Sequence, residues 1–504
     1  MSHATAGQSV STSANGSGAS SACVAAGART SPGVDSPVVR AAIEAIVAEV
    51  RARSAAITDV RGPVSPQATQ DYEALMKRAA DVRGRALLYP YLGSGAGNGA
   101  LVELADGSVK WDMICGIGVQ FFGHSDPDLI SAALRGATSD TVMQGNLQGN
   151  ADQYEFAELL VSHARKRSRL AHLYFATNGV MANENALKIC CQKAAASNAS
   201  GSGAPRVLAF RDCFMGRSVT MSQIGDSAAN RVGLPLSTLV DYVPFYDPIA
   251  ADELGQARHI DSILARVQEY IDRYPRQHAC FIFELVQGEG GFNTAPREFF
   301  VELMRLCRSA GVPVWDDEIQ TFGRTTSLFA YESMNLGEYV DVLCVGKLTQ
   351  VCATLWTPEF NPGPGLLSGT FTGGAVPYAV GKRVVERLAA SDSFGDSGRF
   401  ARHHRAFAEQ VQRLAQAHPA WFPRSPRIKD IVGGTGGMMR FSPFGGDKDK
   451  IMKACKTIFE EGAIVFYCGH GPYHIRMLPP LPVFDEKDWP RVFACVERGL
   501  ARVA

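Results

Sequence analysis

Fifty lysines and arginines balance fifty aspartates and glutamates over 504 residues, which leaves no net basic field to draw a nucleic acid. The chain is 46% hydrophobic, ordinary for a soluble protein of roughly two to four domains, yet its most apolar runs, such as residues 280–286, fall far short of the ~20 residues a membrane-spanning helix needs. Twelve scattered cysteines with no C-x-x-C pair argue against a disulfide framework and against a metal centre, and fit free thiols in a reducing cytosol.

Residues 1–34 hold no acid and are rich in Ser, Ala, Gly and Thr, without the basic and apolar regions of a secretory signal. We expect a disordered tail over 1–35 rather than an organelle address. Helical spacing predicts helices over 36–57, opened by Ser-Pro, and over 70–80. A glycine-rich turn over 93–99 should lead into a hairpin of strands 101–104 and 109–113, joined at Asp106-Gly107. C-G-I-G-V-Q-F-F-G-H-S-D-P then reads as a turn-rich loop that opens a helix over 126–134.

From about residue 150 strands and helices alternate. Strands are expected over 173–176, 207–210, 280–283, 312–315 and 340–345, with helices over 153–164, 261–273 and 296–310 between them. That alternation predicts an α/β unit with a mainly parallel, doubly wound sheet. Past residue 375 it loosens into helices over 376–388, 400–418 and 489–503 and strands over 429–441 and 464–468. The expected organisation is an N-terminal segment 36–120, a large domain 121–375, and a smaller α+β domain 376–504 that pairs with the N-terminal segment.

Open α/β sheets bind ligands outside the carboxyl ends of their strands. Five strand ends here carry polar or glycine-rich clusters, among them Asp316, Asp317, Glu318 and Gln320 after one strand and Gly346-Lys347 after the next. An acid and a lysine on neighbouring strand ends suit pyridoxal phosphate: the lysine forms a Schiff base with its aldehyde, and the acid keeps its ring nitrogen protonated. The same pair also fits a structural ion pair at a sheet edge. Thr177-Asn178-Gly179-Val180 runs straight into a helix, whose N-terminal amides could hold a phosphate or merely be capped.

Taken together, D-G-S-V-K-W-D-M-I-C-G-I-G-V-Q-F-F-G-H-S-D-P, E-L-V-Q-G-E-G-G, D-E-I-Q-T-F-G-R-T, the lysine segment and I-R-M-L-P-P-L resemble, in order, the motifs of class III aminotransferases with the type I pyridoxal-phosphate fold. The resemblance runs from about Gly93 to the C-terminus. N-G-V-M-A-N-E-N-A-L-K and G-K-L-T-Q-V-C are most similar to the lysine ε-aminotransferase branch.

The resemblance implies that Lys347 binds pyridoxal 5'-phosphate and shuttles the proton, with Asp317 on the ring nitrogen and Gln320 near its phenolic oxygen. It puts Phe214 on the ring face, Asn178, Gly179 and Val180 on the phosphate, and Thr370 on the phosphate of a partner subunit in a homodimer with shared active sites. It assigns substrate carboxylates to Arg217 and Arg476, Arg476 being covered by Glu289 when the donor brings no carboxylate there. His124 reads as structural. The implied donor is the terminal amine of an amino acid, L-lysine first, and the acceptor 2-oxoglutarate. Ornithine, 4-aminobutyrate or diamine transfer, an aminomutase or decarboxylase, and a catalytically silent relative are the alternatives. A nucleotide-binding oxidoreductase fits poorly, since no G-x-G-x-x-G opens a helix after the first strand.

Overall fold

The computed structural model describes residues 36–139, 147–197, 203–235 and 237–504. The expected tail over 1–35 lies outside the described residues. Two N-terminal helices, Pro37–Ala55 and Pro66–Arg83, each begin with a serine whose hydroxyl accepts an amide of the first turn and with a proline just inside the end. Strands β1 (Gly93–Asn98), β2 (Leu101–Leu104) and β3 (Val109–Asp112) follow as an antiparallel meander. The glycine-rich stretch expected to be a turn is therefore strand β1, because backbone pairing to β2 does not need side chains.

Seven strands form the central sheet: β4 (His172–Ala176), β5 (Arg206–Phe210), β6 (Leu239–Val243), β7 (His278–Phe283), β8 (Val314–Glu318), β9 (Val342–Val345) and β10 (Cys352–Trp356). Their order is β4-β10-β9-β8-β7-β5-β6. The pairings β5–β6, β5–β7, β7–β8 and β8–β9 are parallel, as expected. Strand β10, which sequence reasoning passed over, runs antiparallel to both β9 and β4. It alone is reversed, so the other six strands deliver their carboxyl ends to one edge of the sheet.

Every residue of β7, β8 and β9 is buried, as befits parallel strands covered on both faces. Alternate residues feed two cores. Phe281 and Phe283 join Phe210, Phe299 and Phe300 on one side, while Cys280 and Ile282 join Ala182, Ala186 and Cys190 of helix Gly179–Ser197 on the other. Burying each phenylalanine contributes about 1.5–3 kcal/mol, which holds the edge of the sheet rigid.

Two expected strands divide. Residues 429–441 form the hairpin β11 (Val432–Thr435) and β12 (Met438–Phe441), with Gly436-Gly437 at its tip. Residues 464–468 split into β13 (Ala463–Ile464) and β14 (Phe466–Cys468). Strand β13 runs parallel to β3 in the N-terminal sheet, while β14 pairs with β15 (His474–Met477) in a third sheet with β11 and β12. One buried residue, Val465, lets a single apolar run serve two sheets.

Candidate active site

Strand β8 extends further than its apolar run, so Asp316, Asp317 and Glu318 lie within the strand instead of after it. The pleat then sorts the three acids by face. Asp317 lines a cavity of about 340 Å³. Asp316 and Glu318 are fully buried, and Glu318 accepts the amides of Ala330 (2.7 Å) and Tyr331 (2.9 Å) away from that cavity. Burial pushes Glu318 up to about 8, against those two amide bonds. Burial, then the charges of Glu318 and Asp317, push Asp316 well above the usual carboxylate range.

Asn178, Gly179, Val180, Phe214, Asp317, Gln320 and Lys347 all line this one cavity. Each Asp317 oxygen has its own donor: the Ile319 amide to Oδ1 at 2.9 Å and the Asn183 side chain to Oδ2 at 2.7 Å. Burial raises the acid to about 6, opposed by those two bonds and by the charge of Lys347. Lys347 follows β9 at φ 55, a left-handed conformation that costs a non-glycine residue roughly 1–2 kcal/mol. Burial lowers its pKa, while Asp317 and Glu289 pull the other way. A Cβ on the preceding Gly346 would stand 2.5 Å from the Cys352 sulfur and 2.9 Å from Ile319, so only glycine lets the strand turn there.

Helix Gly179–Ser197 points its first turn at the cavity. The Asn178 side chain accepts the Met181 amide at 3.0 Å, and the Asn178 carbonyl accepts Ala182. The amides of Gly179 and Val180 find no acceptor among the described residues and stay open at the positive end of the helix dipole.

Beside Gln320 lies a buried ion pair. Arg476, on β15, is fully buried and contacts Glu289 at 2.8 Å, with longer bonds of 3.4 Å to the Gly288 carbonyl and the Gln320 side chain. Burial alone would raise Glu289, but the guanidinium outweighs it and the carboxyl is held low. Arg217 is exposed outside the cavity, 5.6 Å over the Phe214 ring and bonded to Asn230 at 2.7 Å. Thr370 is exposed and does not line the cavity of its own chain. His124 pairs with Asp112 at 2.9 Å, a contact that braces a turn.

Sequence reasoning left several residues of this wall without a role, among them Asn183, Glu284, Gln350 and Cys352. Asn183 orients Asp317, and its own Oδ1 has no partner among the described residues. Glu284 accepts the amides of Phe214 (3.1 Å) and Gly288 (2.9 Å), tying two loops together, and burial raises it to about 8. Gln350 and Cys352 lie just beyond the lysine. The polar end of β7 was a visible signal for Glu284; Asn183 needed the helix phase.

The family model of class-III aminotransferases matches residues 90–491, and the chain belongs to that family of enzymes. Class-III aminotransferases depend on pyridoxal phosphate, and a bound form is known for a structural neighbour described below. An uncharacterized aminotransferase of Sinorhizobium fredii is 27% identical over 80% of this chain and 86% of its own length. The L-lysine-epsilon aminotransferase of Mycobacterium bovis is 27% identical over 81% of this chain and 92% of its own. Among solved structures, the lysine aminotransferase of M. tuberculosis shares the fold with a TM-score of 0.74 at 23% identity, covering 85% of this chain and 100% of that one. A pyridoxal-phosphate-bound amine transaminase from an uncultivated Pseudomonas species reaches 0.68 at 21% identity, covering 81% and 94%. No helix among the described residues is long and apolar enough to cross a membrane, and the eleven described cysteines are unpaired.

Proposed function

We propose that this chain is a pyridoxal 5'-phosphate-dependent transferase that moves the terminal amino group of an amino acid, L-lysine first, to 2-oxoglutarate in two alternating half-reactions. We further propose that it works in the cytosol as a homodimer with shared active sites. The residues present fit the cofactor. Open amides on a 19-residue helix suit its phosphate, and Asp317, with both oxygens already oriented, suits a protonated ring nitrogen. When bound, the cofactor supplies an electron sink for charge that develops at the substrate carbon.

The protein supplies the rest. Lys347 would anchor the aldehyde carbon, and its burial-lowered pKa keeps more of the Nζ amine free to take a proton and return it. Phe214 would cover the ring face, fixed through its amide by Glu284. The partner's exposed Thr370 would complete the phosphate site. Arg217, exposed beside Phe214, would hold the carboxylate distal to the reacting amine, a task suited to a bidentate guanidinium.

The observation that carries the terminal-amine reading is the Arg476–Glu289 pair. A terminal amine brings no carboxylate next to the reacting carbon, whereas a 2-oxo acid does. One arginine must be hidden from the first substrate and shown to the second, and a removable carboxylate does both. Spectra of the separate half-reactions with a panel of amines test the reading. Conversion by lysine, with little by α-amines other than glutamate (the product of the acceptor half-reaction), supports it, and conversion by α-amines alone overturns it. A shorter terminal-amine donor is the second reading, favoured by a diaminobutyrate transaminase of Marinococcus halophilus at 24% identity, near that of the lysine enzyme.

A further inference from the structure

After β3 the backbone turns with the wrong hand. Cys115, Gly116, Ile117 and Gly118 have φ of 50, 65, 61 and 81° in succession, a single left-handed helical turn closed by Gly118 to the Ile114 carbonyl and Val119 to that of Cys115, each at 2.8 Å. Two of the four residues are not glycine, so the turn persists only where its surroundings over-determine it.

Both ends are held. At the start, Asp112 accepts the amides of Ile114 (3.1 Å) and Cys115 (2.7 Å) and is itself steadied by His124. At the end stands Arg324, fully buried, its guanidinium 4.3 Å over the Phe121 ring and donating to the Gly118 carbonyl. Its Nε and Nη1 have no partner among the described residues. An arginine buried at that cost needs a purpose that an apolar side chain could not serve. A Cβ on Gly118 would meet the guanidinium at 2.8 Å, so glycine and arginine are matched. The next residue, Val119, lines the cavity, and its carbonyl accepts the Gln350 side chain at 3.2 Å. Gln350 is left-handed too, and its amide bonds the Lys347 carbonyl at 3.1 Å. A continuous path thus runs from Arg324 through Gly118, Val119 and Gln350 to Lys347.

We infer that the strained Cys115–Gly118 turn sets Val119 in the wall of the donor pocket and that Arg324 is its clamp, a positioning residue that sets how closely Val119 approaches the amino donor. This rests on the reading of the cavity as the cofactor and donor site. The clamp acts on the donor side and leaves the phosphate end, built on Gly179 and Val180, untouched.

Arg324→Met, loaded with pyridoxal phosphate, tests it. Cofactor content should be retained, KM for the best wild-type donor should rise on the order of tenfold to a hundredfold, and kcat should change less. Hydrogen exchange should accelerate at residues 115–120 and not at 178–183. Adding Ile117→Gly, which relieves the left-handed cost, should bring KM back toward wild type. Loss of cofactor in parallel with KM, unchanged exchange at 115–120, or no rescue by Ile117→Gly would overturn the clamp. If Arg324→Met does not fold, Gly118→Ala displaces the same guanidinium and must give the same pattern. A wild-type enzyme that ignores every terminal amine sinks the donor reading instead, since exchange and KM for whatever amine it accepts still decide the clamp.

Discussion

The guanidinium of Arg476 is fully buried, and its Nη2 lies 2.8 Å from each carboxylate oxygen of Glu289, 187 residues away in the chain. The two come from different sheets' surroundings: Arg476 from β15, Glu289 from the loop after β7. Glu289 is 26% exposed, so its carboxylate reaches solvent while the arginine does not.

Glu289→Ala should leave that cation bare. Removing one partner of a buried pair costs about 3–5 kcal/mol, less here because Glu289 is partly solvated, so the melting temperature should fall. Reaction with α-amino donors such as glutamate should hold or improve while the lysine half-reaction slows. An unchanged ratio of the two half-reactions would remove Glu289 from the switch.

Lys347→Ala should lower turnover by at least about a thousandfold and abolish the visible absorbance of lysine-linked cofactor. Cofactor should still bind through its phosphate, detectable by release on denaturation. A variant that kept the visible band would show that another amine holds the aldehyde.

The pleat of β8 separates the roles of its acids. Asp317→Ala should retain cofactor and lose most activity, whereas Glu318→Gln should stay active. Glu318→Gln should instead change stability against pH. The folded carboxyl titrates at about 8 against an ordinary 4.5, so between those values the unfolded chain has lost a proton that the folded chain keeps. Stability therefore falls as pH rises across this window, by up to a few kcal/mol. Melting temperatures of Glu318→Gln measured from mildly acidic to mildly alkaline pH should show a flatter decline than wild type; an equal slope would assign the decline to other groups, Glu284 first.

Thr370 and its neighbour Phe371, 64% exposed, stand outside the cavity of their own chain. Lys347→Ala and Thr370→Ala chains, mixed and refolded together, should recover part of the activity that each homodimer lacks. Heterodimers isolated without recovery would mean that each site is built from one chain.

Much of the site was legible because its residues stand at strand ends, where polarity breaks an apolar run. That break located Lys347 after β9 and the acids of β8, and an Asn-Gly step ahead of a long helix located the open amides of Gly179 and Val180. Strand limits were less legible: the buried acids of β8 looked like a loop, because burial of charge cannot be read from composition. Asp317 was distinguishable from its neighbours by motif alone until the pleat assigned its face.

Local chemistry, carried by the chain itself, determined the class of fold, the alternation that builds a parallel sheet, and many of the residue types that line the cavity. Those signals are short-range: periodicity, capping and turn preference act over a few residues. Only the tertiary structure decided which distant groups meet. The pairing of β10 with β4, the pairing of β13 with β3, the burial of Arg476 against Glu289 and the contact of Arg324 with Gly118 join residues 176 to 352 positions apart. Such pairings depend on the summed packing of the whole chain, and no local window of sequence contains both partners.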